Sequence, residues 1–206
     1  MFSPVRSSSV RRVVTAGALA AAVGVAACGG ASSGAGGSTA TGPNPNTPEK
    51  SPPGDIPDNQ AYVAYAPPRA GYSVKVPEGW SRSTASGATT FTDKLNSITM
   101  QTRPAASAMS VAVATRREVP KLAHGTRGFR AGRVSTVHRN AGDAIRITYT
   151  ARGAPSPVTG RAVTDAVERY VFFHRGRDLI LTLSGPKGAD NVDPWRIVTD
   201  SVAWSS

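Results

Sequence analysis

The chain has 206 residues, a formal net charge of +11 and a single cysteine. One cysteine excludes an intramolecular disulfide framework, so the fold has to be stabilised by its hydrophobic core. The length fits one domain with additional terminal segments rather than several domains.

Residues 1–27 have the pattern of a secretory signal. Three arginines, Arg6, Arg11 and Arg12, precede an apolar run from Val13 to Ala27. The run is short for a membrane span, because crossing a bilayer core of about 30 Å takes roughly 20 helical residues. A basic start, a short apolar segment and small residues at its end are typical of an export signal.

The only cysteine, Cys28, directly follows this run, and the sequence Val-Ala-Ala-Cys at 25–28 resembles the lipobox of bacterial lipoproteins. The resemblance implies that the Cys28 thiol receives a diacylglyceryl group and that the mature protein begins there. Two acyl chains give stable membrane attachment, since each buried CH₂ contributes about 0.8 kcal/mol. We therefore expect a lipid anchor at the outer face of the cell membrane. The alternative is an ordinary signal peptide followed by an unmodified thiol.

Residues 28–59 have little apolar content. Gly, Ser, Thr, Pro and Asn dominate the segment, and Ile56 is its only large aliphatic residue. Such a segment cannot bury enough apolar surface to offset the entropy lost on ordering. We expect a disordered tether with a root-mean-square reach of roughly 30 Å.

Residues 60–206 contain all three tryptophans and all five tyrosines, and we expect them to form one domain. Alternating apolar residues predict a strand at Tyr72–Val76. A second alternation at Ile145–Tyr149 predicts a strand that pairs with Arg133–Arg139 in a hairpin. In that strand Arg146 and Thr148 lie on the face opposite the apolar residues.

Two more hairpins are predicted in the same region. Val167–His174 and Leu179–Leu183 are joined by a tight turn in which Gly176 can take a positive φ. Ala88–Thr92 and Leu95–Thr102 form the other pair. Leu179–Leu183 is apolar on both faces, which predicts that both sides of the sheet are covered, usually by helices.

Two helices are predicted between and after these strands. One lies within Ser107–Leu122, and the other begins at Asp193-Pro194, where Asp is a favourable N-cap and Pro suits the first helical position. Trp195, Val198 and Val202 recur at intervals of three and four and form one apolar side. This order predicts an α+β fold, an antiparallel sheet flanked by helices, rather than parallel βαβ units.

Three segments carry a resemblance to a known domain: GYSVKVPEGW at 71–80, DLILTLSGP at 178–186 and DPWRIVTDSVAW at 193–204. They resemble PsbP-like domains, including the LpqN-type domains of actinobacterial lipoproteins. The resemblance covers residues 60–206 and implies the PsbP-like α/β/α sandwich. Members of this family bind proteins or support complexes and share no active site. The resemblance therefore implies no cofactor and maps no catalytic residue onto this chain.

The domain carries 20 basic and 10 acidic residues, because the signal segment and the tether hold four of the 24 basic and three of the 13 acidic residues. Six basic residues, three of them within the range of the first predicted helix and three after it, are candidate contacts for an anionic surface: Arg116, Arg117, Lys121, Arg127, Arg130 and Arg133. Arg forms forked bonds to phosphate, and each basic residue near an anionic membrane adds about 1 kcal/mol. Anionic lipid or wall polymer fits such a cluster, whereas export excludes nucleic acid. The alternative is a solvated face in an Arg-rich protein.

Hydrolytic sites need a nucleophile beside a His and an acid, or a pair of carboxylates. No serine lies in a Gly-x-Ser-x-Gly motif, and we interpret His174 as a solvated hairpin residue and His138 as a strand residue. Glu78, Glu118 and Glu168 are interpreted as surface charges. No clustered ligands predict a metal site.

The sequence thus predicts a non-enzymatic binding or accessory lipoprotein of the cell envelope, whose partner is an envelope protein or an anionic lipid or wall polymer. A carrier that holds a small apolar ligand or lipid between sheet and helix is the first alternative. A hydrolase without a recognisable motif is the second.

Overall fold

The computed structural model describes residues 54–155 and 160–205. The predicted signal peptide, Cys28 and most of the predicted tether lie outside these residues, so the lipid anchor stays a prediction.

The described residues form ten strands and three short helices, with one π-helical turn between the first two helices. In chain order they are β1 Tyr62–Tyr65, β2 Tyr72–Pro77, β3 Ser81–Ala85, β4 Ala88–Asp93, β5 Asn96–Pro104, α1 Val111–Val113, the π-helical turn Ala114–Glu118, α2 Val119–Gly125, β6 Arg130–Arg139, β7 Gly142–Pro155, β8 Ala162–His174, β9 Arg177–Pro186, α3 Val192–Asp200 and β10 Ala203–Trp204. None of the helices in the described ranges has the length and hydropathy that a membrane span needs.

Seven strands form one antiparallel sheet in the order β3-β4-β5-β9-β8-β7-β6. The three predicted hairpins are all present, as β4–β5, β6–β7 and β8–β9. A second, smaller antiparallel sheet has the order β1-β2-β10. The predicted α+β class with an antiparallel sheet is therefore confirmed.

Both faces of the seven-stranded sheet are covered, as the apolar character of β9 predicts. On one face Leu181 packs with Trp195 and Val198 of α3 and with the small sheet. On the other face Ile180 packs with Ala114 and the rest of the helical segment 111–125. Leu181 and Ile180 are both almost completely buried.

The helical segment 111–125 directs Glu118 into the protein. Ser110 caps α1 by accepting a hydrogen bond from the Val113 amide at 3.2 Å. The π-helical turn then ends at Glu118, which is only 6% exposed and pairs with Arg103 at 3.1 Å. The interpretation of Glu118 as a surface charge is therefore wrong, because the wider turn changes which residues of the segment face the sheet.

Helix α3 begins two residues earlier than the Asp-Pro signal predicts. Its first residue is Val192 and its cap position is Asn191, whose side chain makes no capping bond. Asp193 lies in the first turn instead of at the cap, where its negative charge still interacts favourably with the helix dipole. The Asn191 side chain is used elsewhere, in bonds to residues near the start of the domain.

The ordered domain begins before the predicted boundary at residue 60. Ile56 is 4% exposed in the core, and its amide donates to Asn191 Oδ1 at 2.9 Å. The Gly54 carbonyl accepts from Asn96 Nδ2 at 2.8 Å and from Asn191 Nδ2 at 3.1 Å. Residues 54–59 therefore belong to the domain rather than to the predicted tether. Composition cannot reveal this, because the segment is held by one buried aliphatic residue, Ile56, and by the buried side-chain amides of Asn96 and Asn191.

Candidate functional site

A groove of about 590 Å³ lies beside α3 on the face of the large sheet that this helix covers. Strands β6, β7 and β8 form its floor, and the first half of α3 forms one wall. Its volume is in the range of small-molecule sites, roughly 300–1,000 Å³.

The floor of the groove consists of cross-strand pairs between β7 and β8: Arg146–Tyr170, Thr148–Glu168 and Thr150–Ala166. Strand β6 adds Arg130 opposite Thr150. A bulge between Ala131 and Val134 brings the backbone of β6 close to Thr148. A Cβ atom at Gly132 would lie 2.5 Å from Thr148 Oγ1, so glycine is required for this close approach.

The inner end of the groove is the end lined by Arg139, Arg146 and Tyr170. Arg139 holds α3 against this end. Its Nε donates to Thr199 Oγ1 at 2.9 Å, its Nη1 to the His138 carbonyl at 3.0 Å and its Nη2 to Tyr170 Oη at 3.2 Å. It also pairs with Asp200 at 3.5 Å. The guanidinium carbon lies 5.3 Å from the centre of the Tyr170 ring. Each of the three guanidinium nitrogens of Arg139 therefore donates a hydrogen bond within the fold.

Tyr170 fixes the position of Glu168. The phenol donates a hydrogen bond of 2.5 Å to Glu168 Oε2. Burial raises the pKa of Tyr170, and the bond to the Glu168 carboxylate raises it further, against a lowering effect of Arg139. Tyr170 therefore remains a protonated donor at neutral pH.

Arg146 is less completely bonded than Arg139. Its Nη1 lies 3.5 Å from Glu168 Oε1, and its buried Nε has no hydrogen-bond partner among the described residues. Ser135, which pairs with Arg146 across β6 and β7, has a buried Oγ that is also without such a partner. Buried polar atoms are almost always satisfied by protein, water or ligand. Of the two residues, Arg146 lines the groove, and its Nε therefore marks a polar position there.

The groove is electropositive. Five cationic side chains line it, against the single carboxylate of Glu168: Arg130, Arg139, Arg146, Lys187 and Arg196. Asp200 pairs with Arg139 and with Arg196 at 3.4 Å and offsets one more charge. Five cations and two carboxylates leave a net charge of +3. Among the described residues, Arg130 and Lys187 have no ion-pair partner.

The outer part of the groove is largely apolar. The residues that contribute apolar surface are Ala131, Ala166, Pro186, Ala189, Val192 and Trp195. Val192 is 73% exposed at the start of α3, whereas Trp195 is 8% exposed and packs into the core. Together with the cations, this surface suits a ligand that has an anionic group and an apolar part.

Neither a protein-family model nor a curated protein matches the sequence. Among solved structures, cyanobacterial PsbP (CyanoP) from Synechocystis sp. PCC 6803 is 16% identical with a TM-score of 0.50, over 70% of this chain and 93% of that one. The fold is PsbP-like. LpqN of Mycobacterium tuberculosis, described as involved in cell envelope biogenesis, is 13% identical with a TM-score of 0.40, over 72% and 93%.

A structure from Bacteroides thetaiotaomicron is 12% identical with a TM-score of 0.49. The match covers 69% of this chain and 48% of that protein, so this chain spans about half of its length. At 16% identity, the likeness to CyanoP concerns the fold alone.

The PsbP-like fold separates the six basic residues that the sequence singled out. Arg116 and Arg117 are exposed on the π-helical turn, and Lys121 on α2 pairs with Glu118 at 3.8 Å. All three belong to the helical segment that covers the face of the sheet opposite α3. Arg127 lines a second, smaller pocket of about 310 Å³.

The other two lie on β6. Arg130 lines the groove, and Arg133 is exposed at the bulge, where its amide donates to Thr148 Oγ1 at 2.8 Å. The six residues therefore do not form one cluster, because Arg116, Arg117 and Lys121 lie on the helical segment over one face of the sheet and Arg130 lines the groove on the other.

The histidines weighed for catalysis occupy two different surroundings. His138 Nδ1 lies 2.9 Å from Asp143 Oδ1, and both side chains are largely exposed. His174 is half-buried and stacks on Trp204 with ring centres 4.7 Å apart. The interpretation of His174 as a solvated residue is therefore wrong. Within the described ranges no group of three or more His, Cys, Asp or Glu could hold a metal ion.

Sequence reasoning missed the groove residues Arg139, Arg146, Glu168 and Tyr170 as a unit. One signal was available: Arg146 and Thr148 alternate with buried residues in β7. A charged residue on the second face of a central strand, in a sheet covered on both faces, has to pair or line a cavity.

Proposed function

We propose that this protein is a lipoprotein with a non-enzymatic binding or accessory role at the outer face of the cell membrane. Its PsbP-like domain uses the groove beside α3 to bind an anionic component of the envelope. The groove's net charge of +3 is the observation that carries the binding role. The Val-Ala-Ala-Cys sequence at 25–28 supports the anchor.

The anchor is tested by fractionating cells that express the full chain or its Cys28→Ser variant. We expect the native chain in the membrane fraction and the variant in the soluble exported fraction. Ser33→Ala, a small change five residues away, is the matched control and should remain with the membrane. A Cys28→Ser protein that stays in the membrane fraction would show that this residue is not the anchor.

The binding role is tested by crosslinking from the groove. A photoreactive residue replacing Val192, which is exposed on the groove wall, should crosslink to one envelope component. The same residue at Val63, which is 43% exposed on β1, is the control. Equal labelling of the same components from both positions would contradict binding in the groove.

A carrier of a small apolar ligand is the second candidate, and the apolar outer part of the groove favours it. A carrier should purify with a ligand that native mass spectrometry detects, whereas an accessory protein should purify without one. A neutral ligand whose retention is independent of ionic strength would favour the carrier over the anion-binding function.

A further inference from the structure

We infer that the groove binds an anionic amphiphile, a molecule with a phosphate or carboxylate group on an apolar body, and that its oxyanion binds Arg146 in the place now taken by Glu168. This inference rests on the proposed function only in locating binding in the groove. It adds the class of ligand and the residue that receives its charge.

Two arginines at the inner end of the groove differ in their capacity for a ligand. Arg139 donates to Thr199, His138 and Tyr170 and has the structural role of holding α3. Arg146 has one contact of 3.5 Å, to Glu168, and a buried Nε without a partner among the described residues. Arg binds oxyanions through two parallel hydrogen bonds. Arg146 has more of its five donors free for such a fork than Arg139, which uses three of its own within the fold.

Glu168 can release Arg146 without losing its own position. Charge-assisted hydrogen bonds are usually about 2.7–2.9 Å long, so the 3.5 Å contact between Arg146 and Glu168 is weak. The other oxygen of Glu168 accepts the 2.5 Å bond from Tyr170. An incoming oxyanion therefore replaces the weak contact and leaves the strong one. Glu168 acts as an internal competitor for the ligand's charge.

The form of the groove favours an amphiphile over a simple ion. Its volume of about 590 Å³ far exceeds that of one phosphate. Beyond Arg146 the floor continues through Thr148 and Thr150 to Ala166, and Val192 forms the wall. An apolar body lies along this surface when the anionic group is held by Arg146. Arg130 and Lys187 also line the groove and add further attraction for an anion.

Dodecyl phosphate, used below its micelle concentration, is the test ligand. Binding is measured by titration calorimetry on the full chain carrying Cys28→Ser, and all variants share this background. We expect Arg146→Gln to weaken binding at least tenfold, and Arg146→Lys, which keeps the charge but lacks the fork, to weaken it severalfold. Arg116→Gln is the matched control, because it removes the same charge from the opposite face, and it should change affinity less than twofold.

Glu168→Gln is the decisive variant. The amide oxygen can still accept the Tyr170 hydrogen bond, while the competing charge is gone. We expect binding to become at least fivefold tighter, whereas Glu78→Gln, the same change at an exposed turn, should leave affinity unchanged. The unfolding midpoints of all variants are measured alongside. Arg130→Gln, a change at an exposed residue, should weaken binding two- to fivefold, and it replaces Arg146→Gln as the test if that variant does not fold.

Four results would overturn the inference. Equal losses for Arg146→Gln and Arg116→Gln would indicate a general charge effect. Weaker binding by Glu168→Gln would show that Glu168 supports the ligand rather than competing with it. Inorganic phosphate binding as tightly as dodecyl phosphate would identify a free anion as the occupant. An anionic polymer, such as polyglutamate, that binds where dodecyl phosphate does not would identify a polymer surface. In each case the Cys28 fractionation result is unaffected, so anchor and ligand fail separately.

Discussion

The buried carboxylate of Glu118 provides the sharpest test of how the helical segment 111–125 is attached. Glu118 accepts a hydrogen bond from Arg103 at 3.1 Å, and Arg103 also donates to Asp178 at 3.0 Å. Glu118 and Asp178 are 6% and 3% exposed. Glu118→Gln keeps the shape of the side chain and removes its charge. Arg103 then keeps Asp178 as its buried counter-ion, while Arg169 loses the attraction of the Glu118 charge.

The expected loss follows from burial on the two sides of the pair. Breaking a fully buried ion pair costs about 3–5 kcal/mol, and a hydrogen bond to a charged group contributes about 1.5–3 kcal/mol. The Arg103 side chain is 31% exposed, so water screens part of the interaction. We therefore expect Glu118→Gln to lower the free energy of unfolding by about 2 kcal/mol.

Urea unfolding followed by circular dichroism measures this loss. With a slope of about 2 kcal/mol per molar, the midpoint should fall by about 1 M. Glu78→Gln, the same change at an exposed residue, should shift it by less than about 0.25 M, because surface substitutions usually stay within about 0.5 kcal/mol. A double-mutant cycle with Arg103→Gln should give a coupling of at least about 1 kcal/mol. Equal shifts for the two glutamates would refute the buried pairing.

Three further predictions concern the sheet. Leu181→Ala, at a completely buried position of β9, should cost about 2–5 kcal/mol in the same urea assay. Gly132→Ala should cost about 1–3 kcal/mol and weaken ligand binding, because its Cβ would lie 2.6 Å from the Thr148 carbonyl oxygen. Burial raises the pKa of Asp165, against a lowering effect of the hydrogen bond from Ser184. The folded state therefore binds this proton more tightly than the unfolded state does. As a result, the free energy of unfolding falls as pH rises from about 4 through the raised pKa. Asp165→Asn removes that loss, and its stability relative to the native chain should therefore increase between pH 4 and pH 7. A constant difference across that range would contradict the assigned cause.

Most of the fold could be predicted from local patterns. Alternation in β2 and β7, the Arg175-Gly176 turn and the apolar character of β9 on both faces specify strands, hairpins and cover on both sides. These signals are local because side chains alternate with a period of two along a strand and because tight turns need particular residues. The π-helical turn and the start of α3 at Val192 differ from the predictions, since contacts made after folding decide helix ends.

The groove could not be predicted, because it is made by pairs that are distant in sequence. Arg139 meets Thr199 across 60 residues and Tyr170 across 31, and Ile56 meets Asn191 across 135. The sequence by itself determined the export signal pattern, the charge excess and the α+β class, all of which depend on composition or short-range order. Only the tertiary structure decided which charges are shared, which are buried and which line the groove. Packing of α3 on the sheet and the bulge in β6 fix those distances, and electrostatic interactions depend on distance and burial rather than on sequence separation.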